Sequence, residues 1–97
     1  MAQNKFGQGL LLKRDKVDFS GGILVYELRS VGTRDGFLLS VTAKLEGESC
    51  TCLFAARFVE VLKLYKLIVK NTVTPCTLED VVEDYKNQHI FDEVNSQ

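Results

Sequence analysis

Gly36-Phe37-Leu38-Leu39-Ser40-Val41-Thr42-Ala43-Lys44-Leu45 alternates with a period of two. Phe37, Leu39, Val41, Ala43 and Leu45 fall on one face, and Ser40, Thr42 and Lys44 on the other, with Leu38 the one apolar residue among them. Such alternation marks a strand buried on one side. Past Phe54 the period changes. From Ala55 to Lys70 the apolar residues recur every third and fourth position, the spacing of a helix. Strands first and helices after predicts an α+β domain.

Working outward, Ile23 to Val31 reads as a second strand, rich in β-branched and aromatic residues, with Leu24, Tyr26 and Leu28 on one face. Ser20-Gly21-Gly22 punctuates the chain before it, and Gly32-Thr33-Arg34-Asp35-Gly36 reads as a hairpin loop after it. Glu46-Gly47-Glu48 is a tight turn into a return strand, Ser49 to Phe54, which aligns Cys50, Cys52 and Phe54. Upstream, Gly9 to Lys13 is a short strand candidate. Lys13-Arg14-Asp15-Lys16 reads as a solvated turn, and Val17-Asp18-Phe19 adds a few extended residues. Connections this short exclude parallel crossovers, so the segments form an antiparallel meander of three to four strands.

At about 100° per residue, Phe58, Val61, Leu62, Tyr65, Ile68 and Val69 fall within one arc of about 120°, which is expected to pack on the sheet. Val59, Leu64 and Leu67 lie outside that arc and are expected to form surplus apolar surface. Lys63, Lys66 and Lys70 also lie outside it, crowding the end of the helix where they complement its dipole. The helix is expected to end near Asn71. In Thr74-Pro75-Cys76-Thr77-Leu78-Glu79-Asp80, Thr77 reads as an N-cap and Asp80 as its capping-box partner. Leu78, Val81, Val82 and Tyr85 then form a narrow stripe on a helix of two to three turns. A break is expected near Gln88 or His89, with Ile90, Phe91 and Val94 beyond it. The predicted order is β-β-β-β-α-α, with both helices packed on one face of the sheet.

The block Leu78-Glu79-Asp80-Val81-Val82-Glu83-Asp84-Tyr85, preceded by Thr74-Pro75 and a long helix, resembles the C-terminal signature of a family of short uncharacterised domains from clostridia and related Firmicutes. In that family a short sheet precedes a helix, a Ser/Thr-Pro turn and a terminal Asp-Val-Val-Glu-Asp-aromatic helix. The resemblance spans about residues 55–85, with Tyr85 where the family carries Phe. It implies the same fold and a bacterial origin. Because the family has no assigned activity, it implies no catalytic residue.

The 97 residues are enough for one core and too few for two, so residues 1–97 read as a single domain, with residues 1–8 and 88–97 as frayed tails. No apolar run approaches the length of a membrane span or a signal peptide, and three cysteines at irregular spacing fit a reducing compartment, which points to the cytoplasm. The net charge of −1 conceals a gradient. Residues 1–44 carry seven basic and four acidic side chains, and residues 45–97 carry five basic and nine acidic. That balance disfavours a uniformly basic nucleic-acid binder.

The chemistry-bearing residues read as structural. Cys50 and Cys52 share a strand face, whereas structural zinc sites use cysteine knuckles on turns. With Cys76 they read as core thiols. His89, the single histidine, falls in the weakest-patterned stretch, a poor place to hold a catalytic pair. Glu79, Asp80, Glu83 and Asp84 favour the start of a helix and lack a Ca²⁺-loop pattern. Ser20-Gly21-Gly22 precedes a strand instead of opening a helix, so it is no phosphate loop. The sequence therefore predicts no catalytic residue, no cofactor and no metal site, and a protein that is not an enzyme. Surplus apolar residues Val59, Leu64, Leu67, Ile90, Phe91 and Val94 point to an interface with a second copy, as a homodimer, or with another protein. The alternative is a nucleic-acid-associated regulator using Lys13, Arg14 and Lys16.

Overall fold

The structure, a computed structural model, describes residues 9–34 and 36–89. Four strands, β1 (Leu10–Phe19), β2 (Gly22–Thr33), β3 (Gly36–Leu45) and β4 (Glu48–Phe54), precede two helices, α1 (Phe58–Lys70) and α2 (Pro75–His89). The strands form one antiparallel sheet in the order β1-β2-β3-β4. This is the α+β meander that the change of period predicts.

Turn chemistry sets the register. Phe19 pairs with Gly22, leaving Ser20 (φ 51°) and Gly21 (φ 85°) as a two-residue loop. Two successive positive φ angles suit the right-handed twist of a hairpin, and Gly21 takes its angle without a Cβ penalty. Leu45 pairs with Glu48 across the Glu46-Gly47 turn.

One face of the sheet carries Leu24, Tyr26, Leu28, Leu39, Val41, Ala43 and Phe54, all buried against Val61, Leu64, Tyr65 and Ile68 of α1 and Leu78 and Val82 of α2. Two buried tyrosines pin the layers together. Tyr26 donates its hydroxyl proton to the carbonyl of Val73 at 2.8 Å, in the turn between the helices. Tyr65 donates to Oδ2 of Asp15 on β1 at 2.8 Å, and its hydroxyl oxygen lies 3.2 Å from the carbonyl oxygen of Tyr26. Burial pushes the Tyr26 hydroxyl up to about 12. Burial, followed by the adjacent Asp15 carboxylate, pushes Tyr65 higher still.

Three expectations are corrected. Lys13-Arg14-Asp15-Lys16 is not a turn but the middle of β1, which runs unbroken from Leu10 to Phe19. Its irregularity is a bulge at Leu12, between the pairs Leu11–Arg29 and Lys13–Leu28. α2 begins at Pro75, not after Thr77. Proline suits the first helical position, which puts Thr74 in the capping position. The carbonyl of Thr74 accepts from the amide of Thr77 at 3.1 Å, and their hydroxyls lie 3.1 Å apart. The helix then runs 15 residues to His89, longer than the two to three turns expected, and ends where the break near Gln88 or His89 is expected.

Candidate interaction surface

The orientation of α1 decides which of its residues a partner meets. The buried positions are Val61, Leu64, Tyr65 and Ile68. Compared with the arc read from the sequence, the buried face is rotated by about half the width of a side-chain row, toward α2. Leu64 is therefore 0% exposed and belongs to the core, not to an interface. Tyr65, whose hydroxyl is held by Asp15 of β1, is buried in both orientations, and it is the burial of Leu64 in a core shared with Leu78 and Val82 of α2 that marks the rotation. Phe58, placed in the core by periodicity, is instead 46% exposed. Val59 (52%) and Leu67 (41%) are exposed as expected. Ile90, Phe91 and Val94 lie outside the described residues.

Val59 falls within a row of lysines, and Leu67 stands at the edge of that row. Lys63, Lys66 and Lys70 are all exposed, and no ion pair reaches them among the described residues. At helical spacing the three fall within an arc of about 60°. Glu60 lies on the flank that faces α2, close enough for its charge to reinforce the upward shift that burial gives Tyr85. Leu67 shares that flank. On α2, Leu78 and Val82 face the sheet, while Glu79, Asp80, Glu83 and Asp84 are exposed. The helical layer thus presents a basic row beside an acidic one. The lysine spacing was visible in the sequence, but it read there only as a dipole complement.

The opposite face of the sheet carries a buried charge cluster that sequence reasoning missed. Glu27 is 4% exposed and sits among three cations. Arg29 approaches Oε1 at 3.1 Å through Nη2 and 3.2 Å through Nε, Arg14 approaches Oε2 at 3.5 Å, and Lys44 approaches Oε1 at 3.7 Å. Cross-strand pairing explains the grouping: Arg14 is opposite Glu27, and Glu27 is opposite Thr42, whose hydroxyl lies 2.8 Å from that of Thr51. The candidate basic contact is divided by this arrangement. Arg14 and Lys16 share the helix-free face, but Lys13 pairs with Leu28 on the helix side and lies 3.9 Å from Asp15. Lys13, Arg14 and Lys16 therefore do not form one patch.

The three thiols differ in environment, and Cys76, expected in the core, is exposed. Cys50 and Cys52 are half-buried under α2. Burial, then the neighbouring Cys50, pushes the Cys52 thiol up to about 11, so it holds its proton at neutral pH. Exposed Cys76 lies 3.9 Å from Glu48 Oε1. Among the described residues no three of His, Cys, Asp and Glu come together as a metal site. Nor, among them, is any helix long and apolar enough to cross a membrane.

The chain matches no protein-family model, no curated protein and no solved structure.

Proposed function

We propose that the chain is a small protein-binding module that assembles with a second copy of itself, and that it is not an enzyme. The observation that carries this reading is the outer side of α1, where exposed Val59 lies among, and exposed Leu67 beside, three lysines with no ion-pair partner among the described residues. Apolar anchors interleaved with unpaired charge are costly on a solitary helix face and useful at a contact. A cysteine that keeps its proton is a poor nucleophile, which weighs against thiol chemistry at Cys52. Nucleic-acid binding is the weaker reading, because three of the cations on the helix-free face are already gathered around Glu27. A bacterial, cytoplasmic setting belongs to the same proposal. It rests on the resemblance over residues 55–85 and on three free thiols.

Sedimentation equilibrium tests the reading. The wild-type chain is expected to be a dimer at tens of micromolar. Leu67→Glu is expected to be a monomer with an unchanged circular dichroism spectrum, because the buried face of α1 is untouched. A wild-type monomer at that concentration would refute self-assembly.

A further inference from the structure

We infer that two copies pair through their helical layers, the lysine row of α1 in each copy lying against the acidic row of α2 in the other. This inference rests on the assembly reading and supplies the surface and the symmetry. Lys63, Lys66 and Lys70 give α1 a positive outer side, and Asp80, Glu83 and Asp84 give α2 a negative one. Both rows are exposed, and both helices lie on the same face of the sheet. Their charges are opposite in sign and similar in number, so the surface is complementary to itself, as a two-fold interface requires.

Geometry selects the axis. Face-to-face packing of identical layers needs a two-fold axis in the plane of contact. An axis lying between α1 and α2, and running along them, carries α1 of one copy over α2 of the other. An axis running across the helices also brings the layers together, but it reverses height along them and takes the rows out of alignment. The axis along the helices preserves height. Residues 71–74 connect the end of α1 directly to the start of α2, so heights along both helices are counted from that end. Lys66 lies about 6 Å back from Lys70 and Asp80 about 7.5 Å in from Pro75, while Lys63 lies about 10.5 Å back and Glu83 about 12 Å in. The rows therefore meet at matching height and spacing. Leu67, on the flank of α1 that faces α2, stands nearest the axis, where it meets the same residue of the second copy. That contact supplies an apolar centre inside a charged rim.

Charge reversal tests the pairing on the full chain. Lys63→Glu/Lys66→Glu/Lys70→Glu reverses one row, and Asp80→Lys/Glu83→Lys/Asp84→Lys reverses the other. Each triple variant alone is expected to sediment as a monomer, and their equimolar mixture as a dimer, because the two reversed rows then face each other with opposite signs, as do the two unreversed rows. A control with the same total charge change placed elsewhere, Lys13→Glu/Lys16→Glu/Arg34→Glu, is expected to remain a dimer. Wild-type dimerisation is expected to weaken about ten-fold or more from low to high salt. A second measurement covers failure of the α2 variant to fold. Leu67→Cys in a Cys76→Ser background is expected to give a disulfide-linked dimer with oxidised glutathione. A wild-type dimer that survives the lysine reversal, or that shows no Leu67→Cys cross-link, overturns the pairing and leaves self-assembly standing. A wild-type monomer overturns self-assembly itself.

Discussion

Tyr26 and Tyr65 show how a single polar atom ties sequence-distant segments together. Each is fully buried, and each hydroxyl donates to a group more than forty residues away, Val73 and Asp15 respectively. Tyr26→Phe leaves the Val73 carbonyl without its side-chain donor and is expected to destabilise by about 1–2 kcal/mol, read from chemical denaturation. The same two side chains set an alkaline limit. Their folded values are raised above the ordinary tyrosine value of about 10, so the folded state holds the protons more tightly than the unfolded chain does. Their contribution is therefore complete below pH ~10 and is lost as pH rises from there through about 12. Melting temperature is expected to stay level from neutral pH to pH ~9 and to fall steeply above ~10. A curve that stays flat past pH ~11 would show that neither hydroxyl is held as described.

At the scale of the element, α1 illustrates both a good end and a costly one. Asn71 caps it, and the next two amides reach back to the last turn, Thr72 to the carbonyl of Val69 at 3.1 Å and Val73 to that of Ile68 at 3.2 Å. This is a Schellman closure, completed by the burial of Val73. It forces Thr72 to φ 47°, a left-handed conformation unfavourable for a β-branched residue. Thr72→Gly is thus expected to stabilise the domain by about 0.5–1 kcal/mol, against the usual direction for a substitution to glycine. The rotation of the same helix is checked by two truncations. Leu64→Ala should cost about 2–5 kcal/mol as a core cavity. Leu67→Ala should change monomer stability by no more than about 0.5 kcal/mol as a surface change. Equal costs would mean that the helix is turned otherwise.

For the whole molecule, the sheet edges and the helical layer behave differently. β1 is an edge strand, yet it carries Lys13, Arg14, Asp15, Lys16 and Asp18 and a bulge at Leu12, devices that oppose edge-to-edge pairing. β4, the other edge, has α2 packed beside it. Self-association by extension of the sheet is therefore disfavoured, and the helical layer is the surface suited to a second copy. If the chain dimerises there, dissociation is coupled to unfolding. The melting temperature should then rise with protein concentration in the wild type and be independent of it in Leu67→Glu. Concentration-independent melting in both would count against the assembly.

Much of this architecture is determined locally. The alternation of Phe37 to Leu45, the Ser20-Gly21 and Glu46-Gly47 turns and the helical spacing after Phe54 are short-range patterns, so the strand order, the buried faces of β2, β3 and β4, and the presence of two helices follow from the chain alone. The rest needed contacts between distant residues. α1 is apolar around more of its circumference than one sheet contact requires, so periodicity left its rotation open. A core shared with Leu78 and Val82 of α2 takes Leu64 inward and leaves Phe58 exposed. On β1, the bulge at Leu12 puts Leu10 and Lys13, three residues apart, on the same face, because they pair with Ser30 and Leu28. An alternating pattern cannot reveal that shift, whereas the separation of Lys13 from Arg14 and Lys16 is ordinary alternation once the segment is a strand and not a turn. Burial of Glu27 required Arg14, Arg29 and Lys44 to arrive from three strands at once. Local periodicity thus determined which elements form. Long-range pairing and packing decided which side of each element is left for a partner.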